Sequence, residues 1–446
     1  MISPGRVHIV GAGIAGLAAA VTLIAEGHRV ALYESGQHAG GRCRSFLDPE
    51  LGCRIDNGNH LLLAGNTAAM AYIERIGALD TFERPAEAAI PFIDVAAGVR
   101  WQLRPNRGAV PWWLLDPARR VPGTRPSEYL EALKLRRAAQ SATVAAVLDP
   151  TSRLFRRLWQ PLAVAALNTG VEDASARLFW RVLAETLGRG GAACRALIPH
   201  EGLSESLIDP ALALLRRQGA AIRFGARLRA IGFAEERAVE LQFDGGTVAL
   251  GSSDSVILAV PATAAARLIP GLAVPEDHAP IVNAHFRCAA PPDAPLFAGL
   301  VGGTAEWVFR KREIVSVTVS AADRLIDEPA ETLREVLWRD VAAAYRIPSA
   351  PVPPARIVKE RRATFRATPP QLVRRPPAAT GWNNLHLAGD YVDNGLPATI
   401  EGAIRSGFAA AGRIGRNRNP AAVVTPVATR QTETPETTQD RQRALP

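Results

Sequence analysis

The alternation of apolar and polar positions in the first 34 residues predicts a strand, a helix and a second strand. Residues 7–10, apolar except for His8, lead into Gly11-Ala12-Gly13-Ile14-Ala15-Gly16, after which residues 17–26 have a helical pattern that ends at Gly27. A second run, residues 29–33, is apolar after Arg29 and ends at Glu34. The N–H groups at the start of a helix placed after such a turn bind a diphosphate, and the acid accepts hydrogen bonds from ribose. We therefore predict a dinucleotide, NAD or FAD, bound by Gly11, Gly13, Ile14, Ala15, Gly16 and Glu34.

The pattern then changes several times along the chain. Residues 127–147 and 151–167 predict helices, whereas four short runs between residues 221 and 250 alternate as strands, with Asp244-Gly245-Gly246 as a hairpin turn. Residues 255–260 predict a buried strand, residues 314–319 another, and residues 331–345 a helix. Residues 384–390 and 399–413 read as a final strand and its helix.

This order indicates an α/β protein with two interleaved domains, and 446 residues suffice for two cores. We predict a Rossmann-like nucleotide-binding domain built from residues 1–63, 196–262 and 376–416. A mixed α+β substrate domain, partly helical and facing lipid, would comprise residues 64–195 and 263–375. Residues 417–446 are rich in Thr, Pro, Gln and Arg without periodicity, which predicts a disordered tail.

Composition narrows the classes of partner. Apolar residues make up 48% of the chain, but no apolar run is long enough to cross a bilayer, and the first strand leaves no room for a signal peptide. We expect a cytoplasmic protein, with peripheral attachment to the cytoplasmic membrane left open. The net charge of +9 comes from scattered arginines without a basic run that contains aromatic residues, which argues against nucleic acid. Four cysteines without CxxC spacing predict neither a metal site nor disulfides.

Three further segments extend the dinucleotide pattern. Gly40-Gly41-Arg42 with Ser45, the strand with Leu228, and Leu387-Ala388-Gly389-Asp390 resemble signatures of the flavin amine oxidase and carotenoid desaturase superfamily. The resemblance implies FAD bound in a domain of the glutathione reductase type. It places Gly41 and Arg42 near the diphosphate, Leu228 near the adenine, and Gly389 and Asp390 at the ribitol and diphosphate. Ala398, Thr399 and Ile400 would begin a helix whose amides stabilise negative charge at the flavin edge.

Within that superfamily, residues 56–63, 167–169, 363–365 and 395–403 resemble the squalene-associated, desaturase-like enzymes, the hydroxysqualene dehydroxylases. These act in a bacterial route to squalene, ahead of hopanoids. The resemblance implies a long isoprenoid lipid substrate, reductive dehydroxylation by hydride transfer, an external electron donor, and Gly58, Asn59 and His60 beside the flavin. No cysteine follows Cys288, which predicts a non-covalent flavin. A desaturase or oxidase acting on a carotenoid precursor or an amine stays open.

The residues leave the proton donor undecided. His60 could protonate the leaving oxygen or fix its loop, Asp393 and Tyr391 are alternatives, and Asn168 could orient the hydroxyl or cap a turn. Lys359 could reach the flavin, although its charged neighbours equally indicate a solvated run. Trp112-Trp113 near Arg119-Arg120 indicates either a loop that enters an anionic membrane or side chains packed in a core.

Overall fold

The computed structural model describes residues 5–349 and 351–418. Twenty strands form within them, in chain order β1 (Arg6–Val10), β2 (Arg29–Tyr33), β3 (Ser45–Asp48), β4 (Cys53–Asp56), β5 (Leu62–Leu63), β6 (Phe82–Glu83), β7 (Ile90–Asp94), β8 (Val99–Leu103), β9 (Ala196–Pro199), β10 (Ala221–Arg223), β11 (Leu228–Ala234), β12 (Arg237–Phe243), β13 (Gly246–Ala249), β14 (Ser255–Leu258), β15 (His278–Arg287), β16 (Phe297–Val301), β17 (Trp307–Lys311), β18 (Ile314–Val319), β19 (Ala355–Phe365) and β20 (Leu385–Leu387).

Eleven α-helices form in the same described ranges: α1 (Ile14–Ala25), α2 (Thr67–Arg75), α3 (Leu133–Arg136), α4 (Val144–Val147), α5 (Gln160–Leu167), α6 (Ala176–Glu185), α7 (Asp209–Arg217), α8 (Ala262–Leu268), α9 (Ala330–Tyr345), α10 (Pro369–Leu372) and α11 (Ile400–Arg418). Short 3₁₀ segments lie at Leu79–Thr81, Trp112–Leu115, Pro117–Arg119, Pro126–Ala132 and Leu187–Arg189, and π-helical segments at Phe155–Trp159 and Ser204–Ile208. Helix α11 extends past the predicted start of the tail, and residues 419–446 lie outside the described residues.

A five-stranded parallel sheet carries the glycine-rich turn. Its order is β10, β2, β1, β14, β20, so strands from three distant parts of the chain lie side by side. The carboxyl ends of parallel strands meet at one edge, where ligands bind in such sheets. Helices α1 and α11 pack together there, and Gly407 permits the contact because a Cβ on it would lie 2.3 Å from the Ala15 carbonyl oxygen.

A seven-stranded mixed sheet forms the second layer. Its order is β19, β15, β18, β17, β16, β7, β8, and its β16–β7 pair is parallel while the other pairs are antiparallel. Apolar residues of one face, such as Val282 and Val317, pack on Leu337 and Trp338 of α9. The other face belongs to the largest core, with Phe92, Trp101 and Trp307 among its members. The small antiparallel sheet β11–β12–β13 includes the predicted hairpin, which is confirmed.

The two long helices predicted before residue 170 are wrong as continuous helices. Residues 127–147 break up because backbone groups at Ala142 and Val144 bond with residues 174–176 instead of with their own helix. Residues 151–167 begin as the π-helical turn Phe155–Trp159 and become α-helical only at Gln160. Pro161 lacks an N–H group, so a regular α-helical bond cannot form at that position, and the wider turn accommodates it.

Candidate active site

The turn between β1 and α1 has the geometry that a bound diphosphate needs. Gly11 has φ +104° and a Cβ there would lie 2.3 Å from the Ala259 carbonyl oxygen, while one on Gly16 would lie 2.0 Å from that of Gly11. No atom lies within 4 Å of the Cβ position of Gly13. Helix α1 begins at Ile14 and Ala15 with neither a side-chain cap nor an acid in its first turn. These N–H groups and the open side of Gly13 fit a diphosphate.

Glu34 closes the other side of this turn. Its carboxylate accepts hydrogen bonds from the backbone N–H of Ala12 at 2.9 Å and of Gly36 at 2.8 Å. The Glu34 backbone carbonyl accepts a hydrogen bond from the Ala226 N–H at 2.8 Å. This bond places the segment that leads into β11 beside Glu34. Leu228 is half-buried at the start of that strand. The structure thus brings the residues predicted for ribose and for adenine to one place.

Arg42 joins the two ends of the chain. Gly40 pairs with the first turn through its N–H, which donates to the Ala12 carbonyl at 2.8 Å. The Arg42 guanidinium, one residue past Gly41, donates to Asp390 Oδ1 at 2.7 Å and to the Ala363 carbonyl at 2.6 Å. The Asp390 carboxylate raises the pKa of Arg42, so this cation keeps its proton. Gly11, Gly41, Arg42 and Asp390 therefore belong to one site.

The start of α11 forms the far side of the site. Thr399 Oγ1 accepts from the Gly402 N–H at 3.1 Å, and Ser406 Oγ accepts from the Gly389 N–H at 2.8 Å, which ties the last strand to the helix. Ile400 is buried, and Ala398 and Thr399 are half-buried. Glu401 turns away and accepts from the Ala69 N–H at 2.8 Å in α2. Glu401 is thus a structural link between the two helices.

Arg375 is a site residue that the sequence analysis missed. Its side chain is 8% exposed and donates to the carbonyls of Val392 at 2.6 Å and Leu396 at 2.7 Å. Two longer bonds, both 3.3 Å, reach the carbonyls of Asp390 and Tyr391. One buried cation therefore binds four carbonyls of the loop that follows Gly389. The sequence carries no sign of this, because Arg374-Arg375 has the pattern of an exposed charge pair.

A buried ion pair lies under the segment predicted beside the flavin. Lys311, at the end of β17, pairs with Asp56 Oδ2, and Asp56 Oδ1 accepts from Ser45 Oγ at 2.6 Å and the Leu203 N–H at 2.8 Å. Burial opposes ionisation of Asp56, but Lys311 and these hydrogen bonds outweigh it and lower the pKa of Asp56. Lys359, the lysine considered from sequence, instead donates to the Glu328 carbonyl in an exposed contact. Lys311 is the lysine near this site.

The segment that contains Gly58, Asn59 and His60 is anchored to the large sheet. Asn59 Nδ2 donates to Thr318 Oγ1 at 3.2 Å, and the Asn283 amide donates to the Asn57 carbonyl at 3.3 Å. A Cβ on Gly58 would lie 3.3 Å from Asn283 Nδ2, so the segment lies close to β15. His60 is half-buried and burial lowers its pKa to about 4, against the opposing effect of Asp56. Its imidazole is therefore neutral at pH 7.

The structure shows the surroundings of two of the candidate catalytic residues, Asn168 and Asp393. All polar atoms of the Asn168 side chain are used: Nδ2 donates to the Ala279 carbonyl at 3.1 Å and to Thr364 Oγ1 at 2.9 Å, and Oδ1 accepts from the Ala321 N–H at 2.6 Å. Asn168 thus fixes the end of α5. The Asp393 side chain is 62% exposed and lies 3.9 Å from Arg375, on the outer side of the loop. A water-exposed carboxylate there is a poor candidate for a proton donor in a dry site.

The tryptophan pair is divided between core and surface. Trp113 is 6% exposed and its ring meets that of Tyr129 edge-on at 5.7 Å, whereas Trp112 is 66% exposed. Within residues 5–349 and 351–418, no helix is both long and apolar enough to span a bilayer. In the same part of the chain, no group of three His, Cys, Asp or Glu side chains is placed to hold a metal ion.

Comparison with known proteins gives the family. The family described as flavin containing amine oxidoreductase matches residues 14–415. Hydroxysqualene dehydroxylase of Rhodopseudomonas palustris is 47% identical over 91% of this chain and 97% of its own length. The enzyme of the same name from Sinorhizobium fredii is 47% identical over 92% of this chain and 98% of its own.

A solved structure supports the fold independently. Cyclohexylamine oxidase from Brevibacterium oxydans shares it with a TM-score of 0.64 at 18% identity, over 93% of this chain and 99% of that one. The cofactor of the protein is FAD, and the open glycine turn, Glu34 and the Arg42–Asp390 pair fit it. The chain is a member of the flavin-containing amine oxidoreductases and, within them, of the hydroxysqualene dehydroxylase family.

Proposed function

We propose that this protein reductively dehydroxylates hydroxysqualene to squalene with FAD as its redox cofactor. The observation that carries the proposal is the 47% identity, over nearly the whole length, to the enzyme named for this reaction. The site supports it, because the segments that resemblance assigned to FAD converge through the Arg42–Asp390 pair. FAD would be bound without a covalent link.

The proposed FAD contacts follow the geometry of the site. Gly11, Gly13 and Gly16 with the first turn of α1 would hold the diphosphate, together with Arg42 and Asp390. Glu34 would bind the adenosine ribose and Leu228 would contact the adenine. The segment Gly58-Asn59-His60 and the start of α11 would flank the flavin ring, and the amides of α11 would stabilise the negative charge that the ring gains on reduction.

The reaction breaks one allylic C–O bond and forms one C–H bond. Reduced FAD, when bound, supplies the hydride, and the hydroxyl leaves as water after it takes a proton. We propose that His60 passes this proton, because a neutral imidazole can accept on one nitrogen while it donates from the other. The Lys311–Asp56 pair would set the field around His60, since both charges act on that ring.

Each turnover consumes two electrons, so the proposal needs an external reductant. Gly188-Arg189-Gly190-Gly191 does not offer a second dinucleotide site, because the Gly191 N–H donates to the Asn106 carbonyl at 2.7 Å and the segment packs on a loop. Peripheral attachment to the membrane is also part of the proposal. It would bring the water-insoluble lipid to the protein, and the exposed ring of Trp112 supports it.

The test is a single turnover without oxygen. Photoreduced enzyme is mixed with hydroxysqualene while flavin absorbance is followed, and the product is identified by mass spectrometry. Squalene together with reoxidised flavin is the expected result. Oxidation of squalene or phytoene by the oxidised enzyme, with no squalene formed from hydroxysqualene, would instead support the alternative of a desaturase.

A further inference from the structure

A pocket on the helical side of the molecule is lined by both apolar and positively charged side chains. It has a volume of about 610 Å³ and lies between α3, α6, α10 and the loop after Asp390. Its lining includes the apolar side chains of Leu178, Trp180 and Leu372 and four arginines, the buried Arg375 and the exposed Arg136, Arg177 and Arg181. We call it the arginine pocket. It is separate from the glycine-rich turn and from the Lys311–Asp56 pair.

The charges of the arginine pocket are not neutralised within the protein. None of its three exposed arginines, Arg136, Arg177 and Arg181, has a side-chain hydrogen-bond or ion-pair partner in the part of the chain that the structure describes. Arg177 and Arg181 are one turn apart on α6, where like charges repel each other. The acid on the lining, Asp393, has buried Arg375 as its nearest cation. Positive potential is therefore concentrated beside the apolar side chains of the pocket.

This combination selects the chemistry of a ligand. Guanidinium groups bind phosphate oxygens in a bidentate manner, and apolar side chains bind hydrocarbon. A molecule that satisfies both is an amphiphile with a phosphate head and an apolar body. Inorganic anions would bind the arginines alone and leave Trp180 and Leu372 in contact with water.

The surroundings of the pocket favour a bilayer over a soluble amphiphile. Leu133, on α3 with Arg136, is 53% exposed, and Val373, next to Leu372, is 67% exposed. Leu130 in the preceding turn is 59% exposed. Its neighbour Tyr129 contacts Trp113, which follows the exposed Trp112. Large apolar side chains that project beside basic residues are typical of a surface that enters the head-group region of an anionic membrane.

We propose that the arginine pocket binds the phosphate of an anionic phospholipid and thereby attaches the helical side of the protein to the bilayer. The proposal deepens the membrane attachment described above and rests on the proposed lipid substrate. Asp393 and Gly395, in the loop that Arg375 holds, line the same pocket. A lipid bound there would thus lie next to the loop of the candidate flavin site, where a substrate leaving the bilayer must arrive.

The test compares two double variants with equal loss of charge. Arg177→Ala/Arg181→Ala removes two arginines of the pocket, and Arg84→Ala/Arg324→Ala removes two exposed, unpaired arginines elsewhere. FAD-loaded proteins are co-sedimented with vesicles of phosphatidylcholine with or without phosphatidylglycerol. We expect wild type to bind only the anionic vesicles, the pocket variant to partition about thirtyfold more weakly, and the control to stay within about threefold of wild type.

Several outcomes would overturn the proposal. These are equal losses in both variants, an unchanged pocket variant, or wild type binding neutral vesicles equally well. Binding of soluble farnesyl diphosphate in calorimetry, lost in the pocket variant while vesicles are not bound, would assign the pocket to a soluble diphosphate and overturn the bilayer. Single turnover with detergent-dispersed hydroxysqualene tests the reaction without a bilayer and so separates membrane binding from catalysis. There the pocket variant should match wild type, and failure of wild type would contradict the proposed function alone.

Discussion

The contact between Arg42 and Asp390 shows at the scale of single residues how the site is assembled. These residues are 348 positions apart in sequence and meet at 2.7 Å. The Asp390 side chain is 12% exposed, so its carboxylate is largely removed from water in the fold and needs Arg42 as its charge partner. The pair thus couples the folding of the two chain ends to the formation of the flavin site.

Replacement of His60 tests the proposed proton relay. His60→Ala should keep bound flavin, because Asn57 and Asn59 still anchor the segment, and should lower turnover by about 10²- to 10⁴-fold. Squalene formation and flavin absorbance measure the two effects. His200→Ala, at an exposed histidine, is the control. Turnover of His60→Ala equal to that of wild type would remove His60 from the mechanism.

The Lys311–Asp56 pair gives a prediction with a definite pH dependence. Lys311→Met leaves the Asp56 carboxylate buried without its cation, which should cost about 3–5 kcal/mol of unfolding free energy at pH 7. Burial then raises the pKa of Asp56 above its unfolded value, so the carboxyl group takes up a proton as the pH falls and part of the loss is recovered at pH 5. Urea unfolding at both pH values measures this.

The control for this variant is Lys359→Met, because Lys359 makes an exposed contact with a carbonyl. Its unfolding free energy should match that of wild type at both pH values. An equal loss in Lys311→Met at pH 5 and pH 7 would contradict a buried, unpaired carboxylate as the cause.

At the scale of elements, irregular segments position the site and regular ones support it. Strands β1, β2 and β14 and helix α1 bring the glycine turn to the edge of the parallel sheet. The loop from Asp390 to Leu396 has no regular secondary structure and makes a few hydrogen bonds of its own, and Arg375 donates to four of its carbonyls. Loops held by one buried side chain are sensitive to its replacement because several carbonyls lose their partner together.

Arg375→Met should therefore loosen this loop. We expect a loss of about 3 kcal/mol in unfolding free energy and a dissociation constant for FAD at least about tenfold higher. Calorimetric titration of the apoprotein with FAD measures the second effect. Arg374→Met is the matched control, because Arg374 pairs with Glu276 at the surface and should change FAD affinity less than about twofold. Equal effects of the two variants would exclude the loop as the cause.

At the scale of the whole molecule, both sheets are built from segments that are distant in sequence. In chain order, β14 follows β7, β8 and the helices up to α7, and β20 follows all strands of the second sheet. Neither layer can therefore form from one continuous stretch. Stability of the whole chain consequently depends on groups buried anywhere in it.

Buried histidines make the whole fold sensitive to acid. Burial lowers the pKa of His60, His285 and His386 to about 4 each. The unfolded chain binds these protons near pH 6.5, so stability is complete above that pH and falls as the pH decreases toward 4. Both ring nitrogens of His386 lack a partner among the described residues.

His386→Leu should remove the contribution of His386 to the loss of stability at low pH. The difference in unfolding free energy between the variant and wild type should be about 2 kcal/mol more favourable to the variant at pH 5 than at pH 7. Urea unfolding at the two pH values is the measurement, and His38→Leu, at an exposed histidine, is the control. The same difference at both pH values would show that packing, and not proton binding, explains the change.

Sequence and structure agree most closely where the signal is local. The glycine turn, the acid at Glu34 and the strands around Asp244-Gly245-Gly246 depend on backbone conformations that neighbouring residues specify, and all could be predicted. The helices before residue 170 could not, because backbone bonds between residues 142–144 and 174–176 compete with helical periodicity. Arg375 and Lys311 escaped notice because a single cation in sequence carries no sign of its burial.

The sequence by itself determined a dinucleotide fold and, through resemblance, FAD and the family. It did so because tight turns and helix starts leave a fixed pattern of glycines and apolar residues. Only the tertiary structure decided which polar residues share the site. It showed the hydrogen bonds that fix Asn168 and the exposure of Asp393, and it placed Lys311, Asp56 and Arg375 beside the predicted flavin segments. The reason is physical: burial and pairing of charges arise from segments hundreds of residues apart, and short-range patterns do not record them.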